Sequence, residues 1–478
     1  GLSMRARFFA SALAGLIAGS APATAGMPPA PCPNVPTALC GTLRVPEDRA
    51  AAGGRVLDLG YVAFPARRLE SAPPLFFLLG GPGEAATSIA PLVDQSPFAG
   101  LLDTRALVLL DQRGTAGSHL LQCPPPAHPA GHFGHVLDPD AVAACRAGLS
   151  ARADLRLYTT TIAVEDLDAL RAALGYDRIV VWGGSYGTRV AMEYLRRHGG
   201  HVERVVLDAV SGLDGRMPLY FAYDAQRAFD RVRDDCAAEP DCAKAFPGLA
   251  RTFDAVFDRL REGPVRVGIR AGGGDGPVEV PFSLGDLGYT IRGMLYDRQR
   301  TARLPAMLER AARTGDLAPF AQEYYRRAST LGNDVANGMY LSVVCSEDVP
   351  FITDDAALRW TAGTYLGNYL VEDYRRACSL WARGEIPADY HAVVRSDVPV
   401  LILSGGRDPS TPPRWGDRAA RGLPNGRHIV FPAGGHGVGD TPCGTGIIRE
   451  FLSGSHPKQI DASCASGEAE RTPFLTTP

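Results

Sequence analysis

The sequence has 478 residues, of which 45% are hydrophobic and 21% are charged, a balance typical of folded proteins and not of disordered chains. At roughly 100–200 residues per domain, this length predicts more than one structural unit. The formal net charge of −3 argues against a strongly basic nucleic-acid-binding surface, so no nucleic-acid partner is expected.

The N-terminus has the three parts of an export signal. Two arginines form a basic start, residues 8–19 are apolar or small, and Ala23-Thr24-Ala25 matches the A-x-A cleavage pattern. We therefore interpret residues 1–25 as a signal peptide, with a short foreign leader ahead of Met4; a buried N-terminal helix is the alternative. The apolar stretch is shorter than the about 20 residues of a transmembrane helix. We expect export to the periplasm or the medium, without membrane insertion of the mature chain.

The ten cysteines are an even number, which fits a disulfide framework in an exported protein. Because they cluster into neighbouring pairs, we expect five local bridges. The expected pairs are Cys32–Cys40, Cys123–Cys145, Cys236–Cys242, Cys345–Cys378 and Cys443–Cys464.

Apolar, β-rich runs separated by turns predict strands in two blocks of the chain. Several runs are almost continuously hydrophobic, as buried parallel strands require. Residues 161–174, between two of these runs, have apolar side chains at helical spacing. Strand, helix and strand in alternation predict a mostly parallel α/β sheet. The predicted strands are 56–65, 74–79, 106–110, 178–182, 202–210, 398–404 and 428–432.

The alternation stops after residue 210 and returns near residue 398. Between them the chain has a mostly helical pattern with many aromatic residues and with proline and glycine breaks. We therefore predict an α/β core in two parts, residues 26–210 and 396–478. A helical cap inserted at residues 211–395 would separate them.

The segment Gly183-Gly184-Ser185-Tyr186-Gly187 matches the G-x-S-x-G pattern of a nucleophile elbow. It follows a predicted strand and precedes a predicted helix, the context that places the serine on a sharp turn. Glycines at both ends let neighbouring backbone approach closely, and the helix N-terminus offers N–H groups to a developing oxyanion. Ser185 is predicted to be a catalytic nucleophile; an inert serine in a glycine-lined turn is the alternative.

A serine nucleophile needs a base, and the base needs an acid that orients it. In an elbow-type hydrolase the chain order is serine, acid, histidine. Three histidines lie at or beyond the last predicted strand. His428 is on that strand and His456 is in a polar tail, whereas His436 is in a glycine-rich loop directly after the strand. Because loops at strand ends present side chains to a common site, we predict His436 as the base.

Three aspartates compete for the role of the acid. Asp408 follows strand 398–404 closely, and Asp417 is farther out on a predicted helix. Asp208 is the stronger rival, since it lies near the end of the strand that follows the nucleophile helix. Its alternative role is to cap backbone N–H groups at the edge of the core.

Two N–H donors are needed to stabilise the oxyanion. One should be the amide of Tyr186, the residue after the nucleophile. The other should come from a glycine turn after an early strand, and Gly80-Gly81-Pro82-Gly83 is such a turn. An ordinary strand-to-helix turn is the alternative.

Five segments together carry a family resemblance: LGGPG at 79–83, DQRGTAGS at 111–118, GGSYGTRVAMEY at 183–194, GGRDPSTPP at 405–413 and GGHG at 434–437. They resemble the secreted α/β-hydrolase peptidases, above all the proline iminopeptidases and the tripeptidyl aminopeptidases with a TAP-like C-terminal region. The resemblance spans nearly all of the mature chain, with a looser match in the inserted segment. It implies an α/β-hydrolase fold with an inserted helical cap, a triad of Ser185, Asp408 and His436, and oxyanion donors at Gly81 and Tyr186.

The resemblance also implies the reaction. Leu79 stands where proline iminopeptidases usually have a histidine before GGPG, which favours the tripeptidyl aminopeptidase branch. We predict an exported serine exopeptidase that cleaves short units from peptide N-termini through an acyl-enzyme and needs no cofactor. Because fold and triad do not select a substrate, an esterase or amidase on small molecules is the alternative. A third possibility is a catalytically inactive hydrolase fold used for binding. The complete triad argues against it.

An aminopeptidase must recognise a cationic α-amine, and a cation in a closed site needs an anionic partner. The core motifs have no spare carboxylate, and related peptidases place acidic cap residues at the substrate amine. Glu347, with Asp348 as the alternate, is predicted to bind the amine; a solvated charge pair at a helix end is the other interpretation.

Three histidines, His128, His132 and His135, share one loop and could bind a metal ion. The H-E-x-x-H pattern is absent and no supporting carboxylate or cysteine spacing is present, so we predict no metal.

Overall fold

One large, mostly parallel sheet runs through the structure, a computed structural model that describes residues 24–25, 29–68, 72–272 and 276–477. The predicted signal peptide lies outside these residues except for its last two, which pair with residues 43–44. The strands are β1 (Thr24–Ala25), β2 (Ala30–Cys32), β3 (Val35–Pro46), β4 (Val56–Phe64), β5 (Leu75–Leu78), β6 (Leu107–Leu110), β7 (Ile179–Gly184), β8 (Val202–Asp208), β9 (Val265–Ile269), β10 (Val278–Phe282), β11 (Val400–Gly405) and β12 (Gly426–Phe431).

The order across this sheet is β1-β3-β4-β6-β5-β7-β8-β11-β12, with β2 paired to β3. Strands β5 to β8, β11 and β12 are parallel, whereas β3 and β4 form an antiparallel edge. All seven predicted strands are present within two residues of their predicted ends. Their apolar runs are buried because helices cover both faces of a parallel sheet.

Helices connect the parallel strands and fill the long interval between β8 and β11. The predicted helix at 161–174 is α2. The helices are α1 (Pro139–Ser150), α2 (Thr160–Ala173), α3 (Tyr186–His198), α4 (Phe221–Ala238), α5 (Pro240–Ala245), α6 (Leu249–Arg261), α7 (Leu284–Met294), α8 (Arg298–Thr314), α9 (Ala318–Asp334), α10 (Asn337–Glu347), α11 (Asp354–Thr361), α12 (Tyr369–Ser379), α13 (Pro413–Ala420) and α14 (Pro442–Leu452).

Two regions differ from the sequence expectation. Residues 30–46, for which no strand was predicted, form a hairpin of β2 and β3 with the Cys32–Cys40 disulfide between the strands. The interval between β8 and β11 is not wholly helical, because β9 and β10 form an antiparallel pair in it. Their β-branched residues at 265–269 and 278–282 support that pairing.

Most of the buried apolar residues of α4 to α9 and of β9 and β10 form a hydrophobic cluster of their own, separate from the clusters on the two faces of the large sheet. This separate cluster supports the predicted cap, whose bounds remain a prediction. The five disulfides pair the cysteines as expected. Among the described helices, none combines the length and apolar character needed to cross a bilayer.

The sheet brings distant parts of the chain to one edge. In a parallel sheet the carboxyl ends of the strands meet at the same side. Strands β5, β7, β11 and β12 therefore deliver the glycine turn, the G-x-S-x-G segment, the Asp408 loop and the His436 loop to a shared location.

Candidate active site

Ser185 lies on a strained turn between β7 and α3. Its backbone has φ 54° and ψ −123°, a conformation that costs energy for a residue with a Cβ and that recurs at functional sites. The flanking glycines are required by close packing. A Cβ on Gly187 would lie 2.1 Å from the carbonyl oxygen of Leu78, and one on Gly183 would lie 2.2 Å from that of Gly187. The turn directs Ser185 into a cavity.

His436, the predicted base, is hydrogen-bonded to Asp408, the predicted acid. The Nδ1 atom of His436 lies 2.9 Å from Oδ2 of Asp408. The other carboxylate oxygen, Oδ1, accepts from the amides of Ser410 and Thr411, each at 2.8 Å. The Thr411 hydroxyl donates at 2.6 Å to Oδ2, the oxygen that also faces His436. An Asp–His pair in this arrangement fixes the imidazole and leaves Nε2 for a nucleophile.

Burial and pairing shift the pKa of both partners. Burial disfavours the Asp408 carboxylate, but the charge of His436 and the hydrogen bonds of His436 and Thr411 outweigh it, so the pKa of Asp408 is lowered. Burial also disfavours the imidazolium of His436, yet Asp408 raises the pKa of His436 to about 9, with smaller contributions from Tyr296 and Asp208. The pair therefore favours a charged imidazolium once a proton has been taken.

The rival residues have other roles in the structure. The carboxylate of Asp208 accepts hydrogen bonds from the amides of Val438 and Gly439, at 3.0 and 2.8 Å, and so holds the loop that carries His436. Asp417 is bonded to His428, with Oδ1 2.8 Å from Nδ1. His456 caps a short helical turn near residue 458.

The two candidate oxyanion donors both line the cavity. Tyr186 is the first residue of α3, so its amide has no acceptor within the helix. Gly81 has φ +103° and a Cβ there would lie 2.7 Å from the amide nitrogen of Gly83. Glycine is therefore required at this turn, which presents backbone beside Ser185.

A cavity of about 570 Å³ lies between the strand ends and the helices of the inserted segment. Ser185 and His436 both line it, but in the described structure no hydrogen bond joins the Ser185 hydroxyl to His436. In hydrolases without substrate this contact is often long and tightens only in the complex. Aromatic and basic side chains of α7, α9 and α10 form much of the opposite wall: Tyr289, Arg292, Tyr324, Arg327 and Tyr340.

The structure does not bring Glu347 or Asp348 to this cavity, which corrects the predicted amine site. Both are fully buried beneath α3. Arg189 Nη1 lies 2.8 Å from Oδ2 of Asp348 and 3.7 Å from Oε2 of Glu347. Glu347 also accepts hydrogen bonds from the amide and hydroxyl of Thr160, at 2.5 and 2.9 Å, and from Tyr390.

A carboxylate that the sequence analysis missed, Glu84, lies in the cavity. A Cβ on Gly80 would lie 3.1 Å from Oε2 of Glu84 and 3.2 Å from the Cβ of Ser185, so these two side chains lie on the same side of the Gly80 backbone. Burial raises the pKa of Glu84, against the lowering influence of His436 and of the Gly80 amide. The signal was present in the sequence, because Glu84 directly follows the glycine turn already placed at the site.

The histidines of the 128–135 loop have ordinary structural contacts. His135 Nδ1 lies 2.9 Å from Oδ1 of Asp373, and the His132 ring packs edge-on against Tyr325. His132 and His135 also line the outer part of the cavity.

Comparison with known proteins agrees with the fold and defines the class. A family model described as alpha/beta hydrolase fold matches residues 73–264, which include Ser185 and Gly81. A second, described as TAP-like protein, matches residues 363–464, which include Asp408 and His436. The chain thus has an α/β-hydrolase fold and a C-terminal region similar to the TAP-like family, and it is a serine hydrolase by class.

Relatives with established names cover most of the chain. It is 25% identical to the serine protease Hip1 of Mycobacterium tuberculosis over 89% of this chain and 87% of that protein. It is 27% identical to carboxylesterase B of the same species, over 89% and 86%. It is 24% identical to the tripeptidyl aminopeptidase of Streptomyces lividans, over 90% and 84%.

Proposed function

We propose that this protein is an exported serine exopeptidase that removes short units from the N-termini of peptides. The observation that carries the proposal is Glu84, a carboxylate beside the nucleophile that the Asp–His pair does not use. Relatives named serine protease and tripeptidyl aminopeptidase support a peptide substrate. The five disulfides fit an oxidising compartment.

The proposed reaction uses Ser185, His436 and Asp408 as a catalytic triad. Ser185 attacks the scissile carbonyl while His436 accepts its proton. The amides of Gly81 and Tyr186 stabilise the oxyanion, and Asp408 stabilises the imidazolium. His436 then donates the proton to the leaving amine, which departs and leaves an acyl-enzyme. A water molecule, deprotonated by His436, releases the N-terminal unit.

Glu84 supplies the anion that an exopeptidase needs. A substrate α-amine in the cavity would be a cation removed from water, which is costly without a paired carboxylate. Glu84 takes the role that the sequence analysis gave to Glu347, and it does so from the core instead of the cap. The positive charges of His436 and Arg327 lower the pKa of Glu84 and so favour its charged carboxylate against the effect of burial.

The position of Glu84 also limits the length of the released unit. An extended chain advances about 3.3–3.6 Å per residue, so the amine of a tripeptide would lie roughly 7 Å farther from the scissile carbonyl than that of a single residue. Because Glu84 and Ser185 approach one point within 3.2 Å, we infer that one residue is the favoured unit. A peptide digest analysed by mass spectrometry measures it directly, and tripeptides as the dominant product would contradict this inference.

The experiment that tests the proposal compares a free-amine peptide with its N-acetylated form. We expect the wild type to prefer the free amine by about 100-fold in kcat/KM, which corresponds to roughly 3 kcal/mol for an unpaired buried charge. Glu84→Gln should raise KM for the free peptide by about 10-fold or more and largely spare p-nitrophenyl acetate. The losses from acetylation and from Glu84→Gln should not add, because both remove the same ion pair.

Glu323→Gln is the matched control, since Glu323 pairs with Arg326 outside the cavity. Its kinetics should equal those of the wild type. Equal cleavage of free and acetylated peptides, or cleavage of esters alone, would contradict the exopeptidase and favour an esterase. Carboxylesterase B is the name of the 27% identical relative.

A further inference from the structure

Two arginines of the cavity wall lack a carboxylate partner. Arg292 is on α7 and Arg327 is on α9, and both line the cavity that holds Ser185. Arg292 is only 3% exposed. Within the described residues, neither guanidinium has a carboxylate oxygen within 4.0 Å, whereas Arg298, Arg300 and Arg326 nearby in the sequence each form an ion pair. An unpaired buried cation is costly, so this arrangement needs an explanation.

The contacts of Arg292 leave part of its donor set unused. Its Nη2 atom donates to the hydroxyl oxygens of Tyr296 and Ser410, at 2.9 and 3.0 Å. Its guanidinium carbon lies 3.9 Å from the centroid of the Phe221 ring. Its Nε atom is buried without a hydrogen-bond acceptor in the described structure. A guanidinium has five N–H donors, so neutral partners hold this group in place without satisfying it.

Arg327 approaches the same tyrosine from another helix. Its guanidinium carbon lies 4.6 Å from the centroid of the Tyr296 ring, against 5.2 Å for Arg292. The side chain packs against Gly293, where a Cβ would lie 2.7 Å from its Cδ. Its Nε atom is also buried without an acceptor among the described groups. The absence of a side chain at Gly293 thus makes room for a second cation beside Tyr296.

Other buried arginines have carboxylate or carbonyl acceptors, although the Nε atom of Arg189 also lacks an acceptor among the described groups. The Arg113 guanidinium lies 2.6 Å from Asp166, that of Arg189 lies 2.8 Å from Asp348, and Arg105 donates to two carbonyl oxygens. Of the other acids that line the cavity, Asp224 is bound by Arg414 at 2.7 Å, Asp208 accepts backbone amides and Asp138 accepts the amide of Ala141. Glu84 forms no ion pair with Arg327 in the described structure, although the charge of Arg327 lowers its pKa. Of the arginines that line the cavity, Arg189 is thus paired with a carboxylate, whereas Arg292 and Arg327 have none within 4.0 Å in the described structure.

We propose that Arg292, Arg327 and Tyr296 form a subsite that binds a carboxylate of the substrate. The subsite adjoins the catalytic histidine, because the backbone oxygen of Tyr296 accepts from the amide of His436 at 3.0 Å and the two rings lie 4.6 Å apart. Guanidinium groups bind carboxylates with strong, charge-assisted hydrogen bonds. Together with Glu84, the subsite selects a zwitterionic substrate, and this part of the inference rests on the proposed exopeptidase function.

Two sources can supply the carboxylate, and paired substrates distinguish them. One source is an acidic side chain, tested by peptides that differ only in Glu or Gln at the residue before the scissile bond. The other is the C-terminus of a short peptide, tested by the free acid and the amide of one dipeptide. We expect the wild type to prefer the carboxylate form by about 10-fold or more in kcat/KM in one of these pairs.

Arg327→Gln should reduce that preference to within about twofold, and Arg292→Gln should do the same. Each preference is the ratio of kcat/KM for the two substrates of a pair, measured on the same variant. A general loss of activity lowers both values equally and leaves this ratio unchanged. Arg292 is buried, so the Arg292→Gln variant could fail to fold. In that case the Arg327→Gln variant, which changes a partly exposed side chain, tests the subsite by itself. Arg326→Gln is the matched control on α9: it pairs with Glu323 outside the cavity and should retain the full preference.

A third pair keeps this test separate from the peptidase question. The esters mono(4-nitrophenyl) glutarate and 4-nitrophenyl pentanoate differ chiefly in a terminal carboxylate. Free-amine peptides cleaved without any preference for a carboxylate would overturn the subsite and leave the exopeptidase intact. Peptides left uncleaved while the glutarate ester is preferred, and the preference is lost in Arg327→Gln, would overturn the exopeptidase and support the subsite. No preference in any pair would overturn the subsite outright.

Discussion

At the scale of single residues, the environment of each aspartate decides its role. Asp408 receives two amides, one hydroxyl and the imidazole of His436, all within 2.9 Å. Asp208 receives only amides, from the loop that follows His436. Burial raises the pKa of Asp208 to about 6, whereas that of Asp408 is lowered. Only Asp408 is held as a carboxylate against the ring of His436.

This contrast predicts an order of mutational effects. Ser185→Ala should lower kcat by roughly 10⁶-fold, as loss of a triad serine does elsewhere. Asp408→Asn should cost about 10⁴-fold through loss of the correct imidazole tautomer. Asp208→Asn should cost less, because an amide oxygen still accepts from the loop. Steady-state kinetics on folded variants checks the order, and a larger loss for Asp208→Asn than for Asp408→Asn would contradict the assignment of the acid.

The raised pKa of His436 predicts an alkaline pH profile. The imidazole must be neutral to accept the proton of Ser185, so activity is lost as pH falls through its pKa. Because Asp408 raises that pKa to about 9, the acid limb of kcat/KM should lie well above the ordinary value of 6.5. Asp408→Asn should move the limb to lower pH. An acid limb of the wild-type kcat/KM profile at or below pH 6.5 would contradict this prediction.

At the scale of secondary-structure elements, a buried ionic network supports the nucleophile helix. Arg189 of α3 meets Glu347 at the end of α10 and Asp348 just after it, and Glu347 also receives the amide of Thr160 at the start of α2. The hydroxyls of Thr160 and Tyr186 lie 2.6 Å apart. Burial raises the pKa of Glu347 to about 7, and Arg189 opposes this. The network thus fixes α3, and with it the amide of Tyr186, relative to α2 and α10.

Glu347→Gln should therefore weaken the fold and not the recognition of the amine. Breaking a buried charge network typically costs about 3–5 kcal/mol, and Gln retains part of the hydrogen bonding, so we expect a loss of about 2 kcal/mol in the free energy of unfolding. KM for free-amine peptides should stay within about twofold of the wild type. Urea unfolding and steady-state kinetics measure the two quantities. A tenfold rise in KM at unchanged stability would restore Glu347 as the amine partner.

At the scale of the whole molecule, disulfides join elements that line the cavity. Cys345–Cys378 links α10 to α12 across a sequence separation of 33 residues, whereas Cys236–Cys242 closes a separation of 6 at the junction of α4 and α5. In the chain-entropy model the stabilisation grows with the logarithm of the loop length. The longer bridge should therefore contribute more to the stability of the protein.

Replacing both cysteines of the longer bridge by alanine should lower the free energy of unfolding by about 4 kcal/mol, against about 2 kcal/mol for the shorter bridge. Because α10 carries Tyr340 of the cavity wall, the first variant should also lower kcat/KM for peptides. Chemical denaturation under oxidising conditions compares the two variants. A larger loss for the Cys236–Cys242 variant would show that loop closure does not set the order.

The elements that depend on local sequence were predictable. Seven strands, α2, the elbow around Ser185 and the pairing of the ten cysteines follow from hydrophobic runs, turn glycines and short separations, all of which act over a few residues. The β9–β10 pair was missed because short β-branched runs in a helix-rich segment give a weak signal. The family resemblance singled out Asp408 over Asp208, and the structure supports that choice through contacts that join β8, β11 and β12.

Only the tertiary structure decided which of the two carboxylates lies in the cavity. Glu84 directly follows the glycine turn and Glu347 lies in the inserted segment, but neither position shows whether the charge is compensated by other side chains. The fold brings Arg189, Thr160 and Tyr390 around Glu347, so its charge is compensated within the core. It leaves Glu84 beside Ser185 and two unpaired arginines on the facing helices. Charge compensation depends on residues that are far apart in sequence, and for that reason the sequence alone could not determine it.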